Sequence, residues 1–502
     1  MVSYGYQLTG ATISVFAALA LMSAHASEPE LDAKPQDLVI IGATLIDGTG
    51  APPYSATVII RNGRIFAVET DSDPGVPTEA TVIDASGKYL IPGLADMHVH
   101  LSRGLPLPRL ENETEIVFAR NLYYGVTSIL AIGASDASTQ SILSHRARRA
   151  SGELQAPYIY GTGGHLTLKG THPVYTVFPP RIQQMADELA DNTPMDEPVD
   201  LYSLGIGLSI VRTEEAARKA VRERAEGEMD AIKITVESGP TPFGDDHPQM
   251  SVEMIRAIVD EAASHGLRVF AHVTSLDELQ ATFNGGAAGV VHTVWDRPFP
   301  DAGLADRLAA RPFFVMPTTS LYRGTVSLHY IDEPIDLDDP FLRETVSEKE
   351  VAVLRNPEFI ARFRSRWKRP LASAEDRERS IRRHVADLLA NIGMLNSHGV
   401  PIVLGTDTGN IFTFQGYSVH DELEFLVKAG LTPSEALAAA TKNAAEMLNA
   451  DDEFGTIEPG KRADILILGA NPLNDIRNTR SLEIVIAEGR LVDREALPVN
   501  IH

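Results

Sequence analysis

The chain has 502 residues, no cysteine and a formal net charge of −24. Disulfides and thiolate-held metals are excluded, so any metal must be bound by His, carboxylate or a modified Lys. The acidic excess repels phosphate backbones and anionic bilayers, so nucleic acid is not an expected partner and a small-molecule substrate is.

In chain order, the N-terminus comes first. Residues 11–23, "ATISVFAALALMS", form an apolar run too short to span a bilayer. Ala24 and Ala26 follow it in the A-x-A relation of a signal-peptidase site. Residues 1–26 therefore read as a signal peptide cleaved near Ala26, and the mature chain as exported, periplasmic or secreted. No later run is long and apolar enough for a membrane span.

Residues 36–92 alternate β-branched runs, such as "ATVIIRNGRIFAVE", with the turn dipeptides Asp47-Gly48 and Asn62-Gly63. Residues 451–502 repeat that style in "GTIEPGKRADILIL" and "LEIVIAEGRLV". The two ends are predicted to build one small composite β-sandwich domain.

Between them, residues 93–450 alternate short apolar strands with helical stretches, the rhythm of β/α units. Eight strands are predicted: 93–100, 127–133, 158–161, 231–236, 268–273, 288–293, 313–318 and 401–407. Eight such units imply a TIM-type (β/α)8 barrel with its active site at the C-terminal strand ends. Gly266, after "SVEMIRAIVDEAASH", is placed to end a helix. Residues 319–380 interrupt the rhythm with a charged, helical insertion on the active-site face. It is read as a lid or as a contact between copies, and a homo-oligomer is expected. Residues 171–200 form a second long loop on that face.

The predicted strand ends carry unusual side chains. The first ends in His98 and His100, the fourth carries Lys233, the fifth His272, the sixth His292, and the eighth ends in Asp407. Each alone reads as a hydrogen-bonded core residue. Six in converging positions would be costly to bury unpaired, and imidazole with carboxylate suits Zn²⁺ or a related divalent ion. An ammonium is no ligand, but a neutral lysine amine can take up CO₂ to give an anionic carbamate, and burial near cations favours that neutral form. Asp96, two residues before His98 on the same face, reads as support for the ligands rather than as one of them.

These motifs carry a resemblance to the amidohydrolase superfamily. "PGLADMHVH" resembles its His-x-His signature, "GTDTGN" its eighth-strand Asp motif, and "LTPSEALAAATKNAAEML" with "GTIEPGKRADILIL" its closing helix and return to the β domain. The nearest subgroup is the imidazolonepropionase-like, prolidase-type metal-dependent hydrolases, which share the "IKI" lysine. The resemblance implies one ion on His98, His100 and Asp407 and a second on His272 and His292. It also implies a carboxylated Lys233 and a hydroxide bridging them, with Asp407 handling the proton.

The implied activity is hydrolysis of a C–N amide bond, in an Xaa-Pro type dipeptide or an N-acyl amino acid. A phosphotriesterase or lactonase on the same centre is the alternative. A cyclic amidohydrolase or deaminase is disfavoured, because "AHVTSLDE" lacks a Glu close after His272. His165 resembles a family position near substrate. His172, Tyr322 and Arg323 are further candidates for substrate contact, the last two toward a carboxylate. Thr235 stands where many relatives have Tyr.

Overall fold

The computed structural model describes residues 37–70, 80–102, 110, 112–133, 138–238, 247–329, 333–365 and 374–500, without the side chains of 374–378, 380 and 381. The predicted signal segment and parts of the predicted insertion lie outside these residues.

Strands Leu38–Leu45, Tyr54–Arg61, Arg64–Glu69, Thr81–Asp84 and Tyr89–Pro92 join Ile465–Leu468, Leu482–Ala487 and Arg490–Leu491 in one eight-stranded sheet. The seam between the two chain ends is antiparallel, with Pro92 opposite Ile465 and Tyr89 opposite Leu468. The hairpin after Arg61 turns on Asn62 and Gly63, at φ 52° and 77°, as a two-residue type I′ turn requires. Register breaks at Ile40–Ala43 and Ile467–Leu468 bend their strands. The apolar cluster beneath is made largely of this sheet's own side chains, among them Ile40, Leu45, Val58, Leu90, Ile465 and Ile486. Among the described residues the strands of the two chain ends thus pair into one continuous, bent sheet.

The middle of the chain alternates parallel strands with helices. Leu94–Val99, Val126–Ala131 and Tyr158–Gly161 form a three-stranded parallel sheet. A second sheet runs in the order Val199–Asp200, Leu208–Ile210, His165–Thr167, Ala231–Thr235, Arg268–His272, Gly289–Val291 and Phe314–Met316. Only its first pair is antiparallel. Residues 158–167 carry the chain from the first sheet to the second.

Residues 401–408 lie between the outer strands of the two sheets. Ile402 bridges Val315, Thr408 bridges Val99, and the Met97 N–H donates to the Leu404 carbonyl. The predicted eighth strand is therefore in place but makes only isolated bridges. The reason lies in its partner strand: the Asp96 carboxylate, not a backbone carbonyl, accepts the Thr406 N–H at 3.0 Å.

The helices start on side-chain caps. Thr213, Ser251, Ser275 and Thr432 each accept the N–H three residues on, satisfying a donor that the first turn leaves open. Gly266, at φ 73°, follows the helix Val252–Ser264 as predicted. One buried apolar cluster draws Met97, Leu130, Tyr160, Phe270, Phe314 and Val403 together. Ala231 belongs to it as well, and Lys233 and His272 stand two residues beyond Ala231 and Phe270, on the same strand faces. The polar site is thus the next layer above an apolar floor.

The insertion begins with the short helix Thr319–Leu321 and a π-helical turn, Tyr322–Val326, and continues through Pro340–Arg343, Glu348–Leu354, Pro357–Arg364 and the long helix Ala374–Ser397. Leu328, Leu342 and Leu354 pack with Tyr124, Phe412 and Tyr417. Arg120, in the helix Glu113–Tyr123, pairs with Glu350 at 2.9 Å, both buried. No described helix is long and apolar enough to cross a membrane.

Candidate metal centre

Asp407 is the hub of the site. His98 Nε2 and His100 Nε2 lie 3.3 and 2.8 Å from its Oδ1, and His292 Nε2 lies 3.8 Å from its Oδ2. Single ligand atoms of His98, His100 and Asp407 all fall within 4.8 Å of one another. The backbone is forced to present them. Asp407 and His292 are held at φ 57° and 66°, and Thr318, which meets His292 Nδ1 at 2.6 Å, at φ 51°. Left-handed conformations off glycine carry strain of about 1–3 kcal/mol each and persist where the surroundings over-determine them. Asn410 supplies part of that restraint, donating to both the carbonyl and Oδ1 of Asp407. Asp96 supplies more, accepting from the N–H groups of His98 and Thr406 and from the Thr406 hydroxyl. Burial pushes its carboxyl up to about 7.

The electrostatics favour ligand forms. Burial, helped by Lys233 or neighbouring imidazoles, holds His98, His165 and His292 well below the usual histidine range. Burial also brings His272 down to about 3 and His172 to about 4. The ammonium of Lys233 is destabilised by burial, against the pull of Asp407, so that its pKa falls to about 7. Its Nζ is fully buried with no hydrogen-bond partner among the described residues, and so is Nδ1 of His98. Neutral imidazoles around a carboxylate, with a readily deprotonated amine left unpaired beside them, are a donor set suited to divalent cations.

His272 stands apart from the Asp407 cluster. Its Nε2 meets Glu237 Oε2 at 2.5 Å, and with His172 these residues form a second group of possible ligands. Glu237 was not predicted. Its signal was parity, because 233, 235 and 237 alternate onto one face, but it lies past the strand end Thr235 in a stretch without pattern.

The centre floors a cavity of about 350 Å³ whose upper walls include Val177, Phe178, Leu208, Trp295, Tyr322 and Val326. His165 lines it too, with both ring nitrogens buried and without hydrogen-bond partners among the described residues. That ring lies over Gly133, where a Cβ would stand 1.9 Å from Nε2. His172 also borders the cavity, its Nδ1 2.7 Å from Thr176 Oγ1. Arg323 does not line it: its guanidinium pairs with Asp421 at 2.5 Å, so the predicted carboxylate fork is already engaged. Glu278, the first Glu after His272, accepts the N–H groups of Ser238, Thr274 and Ser275 and is committed to capping a helix.

Comparison with known proteins decides the lineage. Residues 89–492 match the Amidohydrolase family. The chain belongs to that family. This amidohydrolase is 24% identical to an ochratoxinase of Aspergillus niger over 457 residues, 88% of this chain and 82% of that protein. It is 24% identical to an imidazolonepropionase of Brevibacillus brevis over 498 residues, 94% of this chain and 97% of that one. A solved Xaa-Pro dipeptidase, with methionine bound in its active site, superposes with a TM-score of 0.67 at 22% identity. That match covers 91% of this chain and all of the other, and the fold is therefore shared. The amidohydrolase is a hydrolase acting on carbon–nitrogen bonds, and its fold relatives are prolidase-like.

Proposed function

We propose that this amidohydrolase cleaves an amide bond at a two-cation centre seated in a closed (β/α)8 barrel. Residues 401–408 would be the eighth stave, and 158–167 the third. The observation that carries the reading is the convergence of His98, His100 and His292 on Asp407, with a buried, unpartnered Lys233 alongside. His98, His100 and Asp407 would hold one ion, and His272 and His292 the second. Lys233 would join them as a carbamate: its neutral amine adds CO₂ and releases a proton. Two such cations, Zn²⁺ by donor chemistry, supply Lewis acidity and lower the pKa of bound water.

The protein's own groups do the rest. Asp407 takes the proton of the attacking water and returns it to the leaving nitrogen. His165 and Tyr322 line the cavity and offer N–H and O–H donors to the substrate's polar groups. The apolar walls exclude water and accept a nonpolar side chain. An Xaa-Pro type dipeptide or an N-acyl amino acid with an apolar acyl group fits that lining. The chain is proposed to act after export, as a homo-oligomer.

The test is elemental analysis with a substrate screen. Wild-type protein should carry about two divalent ions per chain, and Lys233→Ala should lose at least one together with activity. Xaa-Pro dipeptides and N-acyl amino acids should be turned over. A single ion that survives Lys233→Ala would overturn the bridged centre. Turnover of triesters or lactones with none of these amides would overturn the substrate class.

A further inference from the structure

Four histidines stand at the strand ends, and three of them turn Nε2 toward Asp407. His272 does not. Its Nε2 is engaged by Glu237 Oε2 at 2.5 Å, on a carboxylate whose side chain is only 3% exposed. The ring has little freedom to turn away. His172 stacks on it at 4.6 Å and 24°, and His292 meets it edge-on at 4.4 Å and 73°. The backbone holds the same register: Thr235 pairs with His272, and the Val236 N–H donates to the His272 carbonyl at 3.1 Å.

A neutral imidazole has one N–H and one lone pair. A carboxylate accepts, so the nitrogen facing Glu237 must carry the hydrogen, and the lone pair is left on Nδ1. A ligating histidine whose other N–H meets a carboxylate is oriented, fixed in tautomer and made more basic. We propose that Glu237 is a positioning residue for the second cation: by accepting the Nε2–H of His272 it fixes Nδ1 as the donor atom. The proposal rests on the two-cation reading above. It assigns Glu237 no contact with substrate and no place among the ligands.

Metal binding, read apart from turnover, tests it. Metal-free wild type, Glu237→Ala and Glu237→Gln are titrated with Zn²⁺ by calorimetry, and ion content is measured by mass spectrometry. Glu237→Ala should weaken the second ion about 10–100-fold and leave the first unchanged. Glu237→Gln, whose amide oxygen accepts the same bond without the charge, should recover part of that loss. Two ions in wild type with unchanged second-ion affinity in Glu237→Ala overturn this inference alone. A single ion in wild type overturns it along with the two-cation reading. A third ion in wild type, lost from Glu237→Ala while the second stays, overturns it in favour of direct ligation. If Glu237→Ala does not fold, Glu237→Gln carries the test, and wild-type affinity for the second ion then overturns the proposal.

Discussion

Asp407 couples chemistry to backbone shape in one residue. Its carboxylate gathers three imidazoles, and its φ of 57° is a conformation that Asn tolerates better than Ala. Asp407→Asn should therefore keep the wild-type thermal midpoint while kcat falls about 10²–10⁴-fold, the span of general acid–base catalysis. Asp407→Ala should lose the same activity and also melt lower. Calorimetric scans beside initial rates separate the two effects, and an Asn variant with wild-type kcat would remove Asp407 from the proton transfer. The hub was legible in "GTD", because an Asp closing an apolar run needs a partner. Glu237 was not legible, since beyond the last hydrogen-bonded strand residue the sequence pattern stops reporting direction. Arg323 misled for the opposite reason: its partner, Asp421, is 98 positions away and invisible to local spacing.

At the scale of elements, the insertion is tied down at its root. The buried pair Arg120–Glu350 joins the helix Glu113–Tyr123 to Glu348–Leu354, and Glu350 also accepts the N–H of Ser347 in a capping box. Removing one partner of a buried pair strands the other charge, so Arg120→Met should lower unfolding free energy by about 3–5 kcal/mol. Neither residue borders the cavity, so activity in the folded protein should persist. A urea-denaturation shift below about 1 kcal/mol, the scale of an exposed pair, would show the tie to be unimportant. The parallel strands were readable because buried strands are continuous apolar runs. Leu208–Ile210 was missed because three residues between the Gly205–Gly207 turn and the helix Glu214–Glu226 carry no period.

Over the whole molecule, several imidazoles are buried in the uncharged state. His420 is remote from the Asp407 hub, with Nε2 donating to the Tyr124 carbonyl at 3.0 Å and Nδ1 2.9 Å from Thr479 Oγ1. Burial lowers it from 6.5 to about 3. A depressed folded pKa gives stability that is fully present above the unfolded value and lost as pH falls. Stability should therefore decline from pH 6.5 toward 3, each such histidine adding about 1.4 kcal/mol per pH unit within that window. Urea midpoints across pH should fall less steeply, by one proton, in His420→Gln, and an unchanged slope would exclude its titration. The sheet shared by the chain ends has a consequence in time. Tyr89–Pro92 is made early, but the strand that covers its free edge, Ile465–Leu468, leaves the ribosome more than 350 residues later. At about 5–20 residues per second that edge waits roughly 20–75 s for its partner. The nascent chain therefore carries an open β edge for most of its synthesis, and a chaperone has that interval in which to hold it.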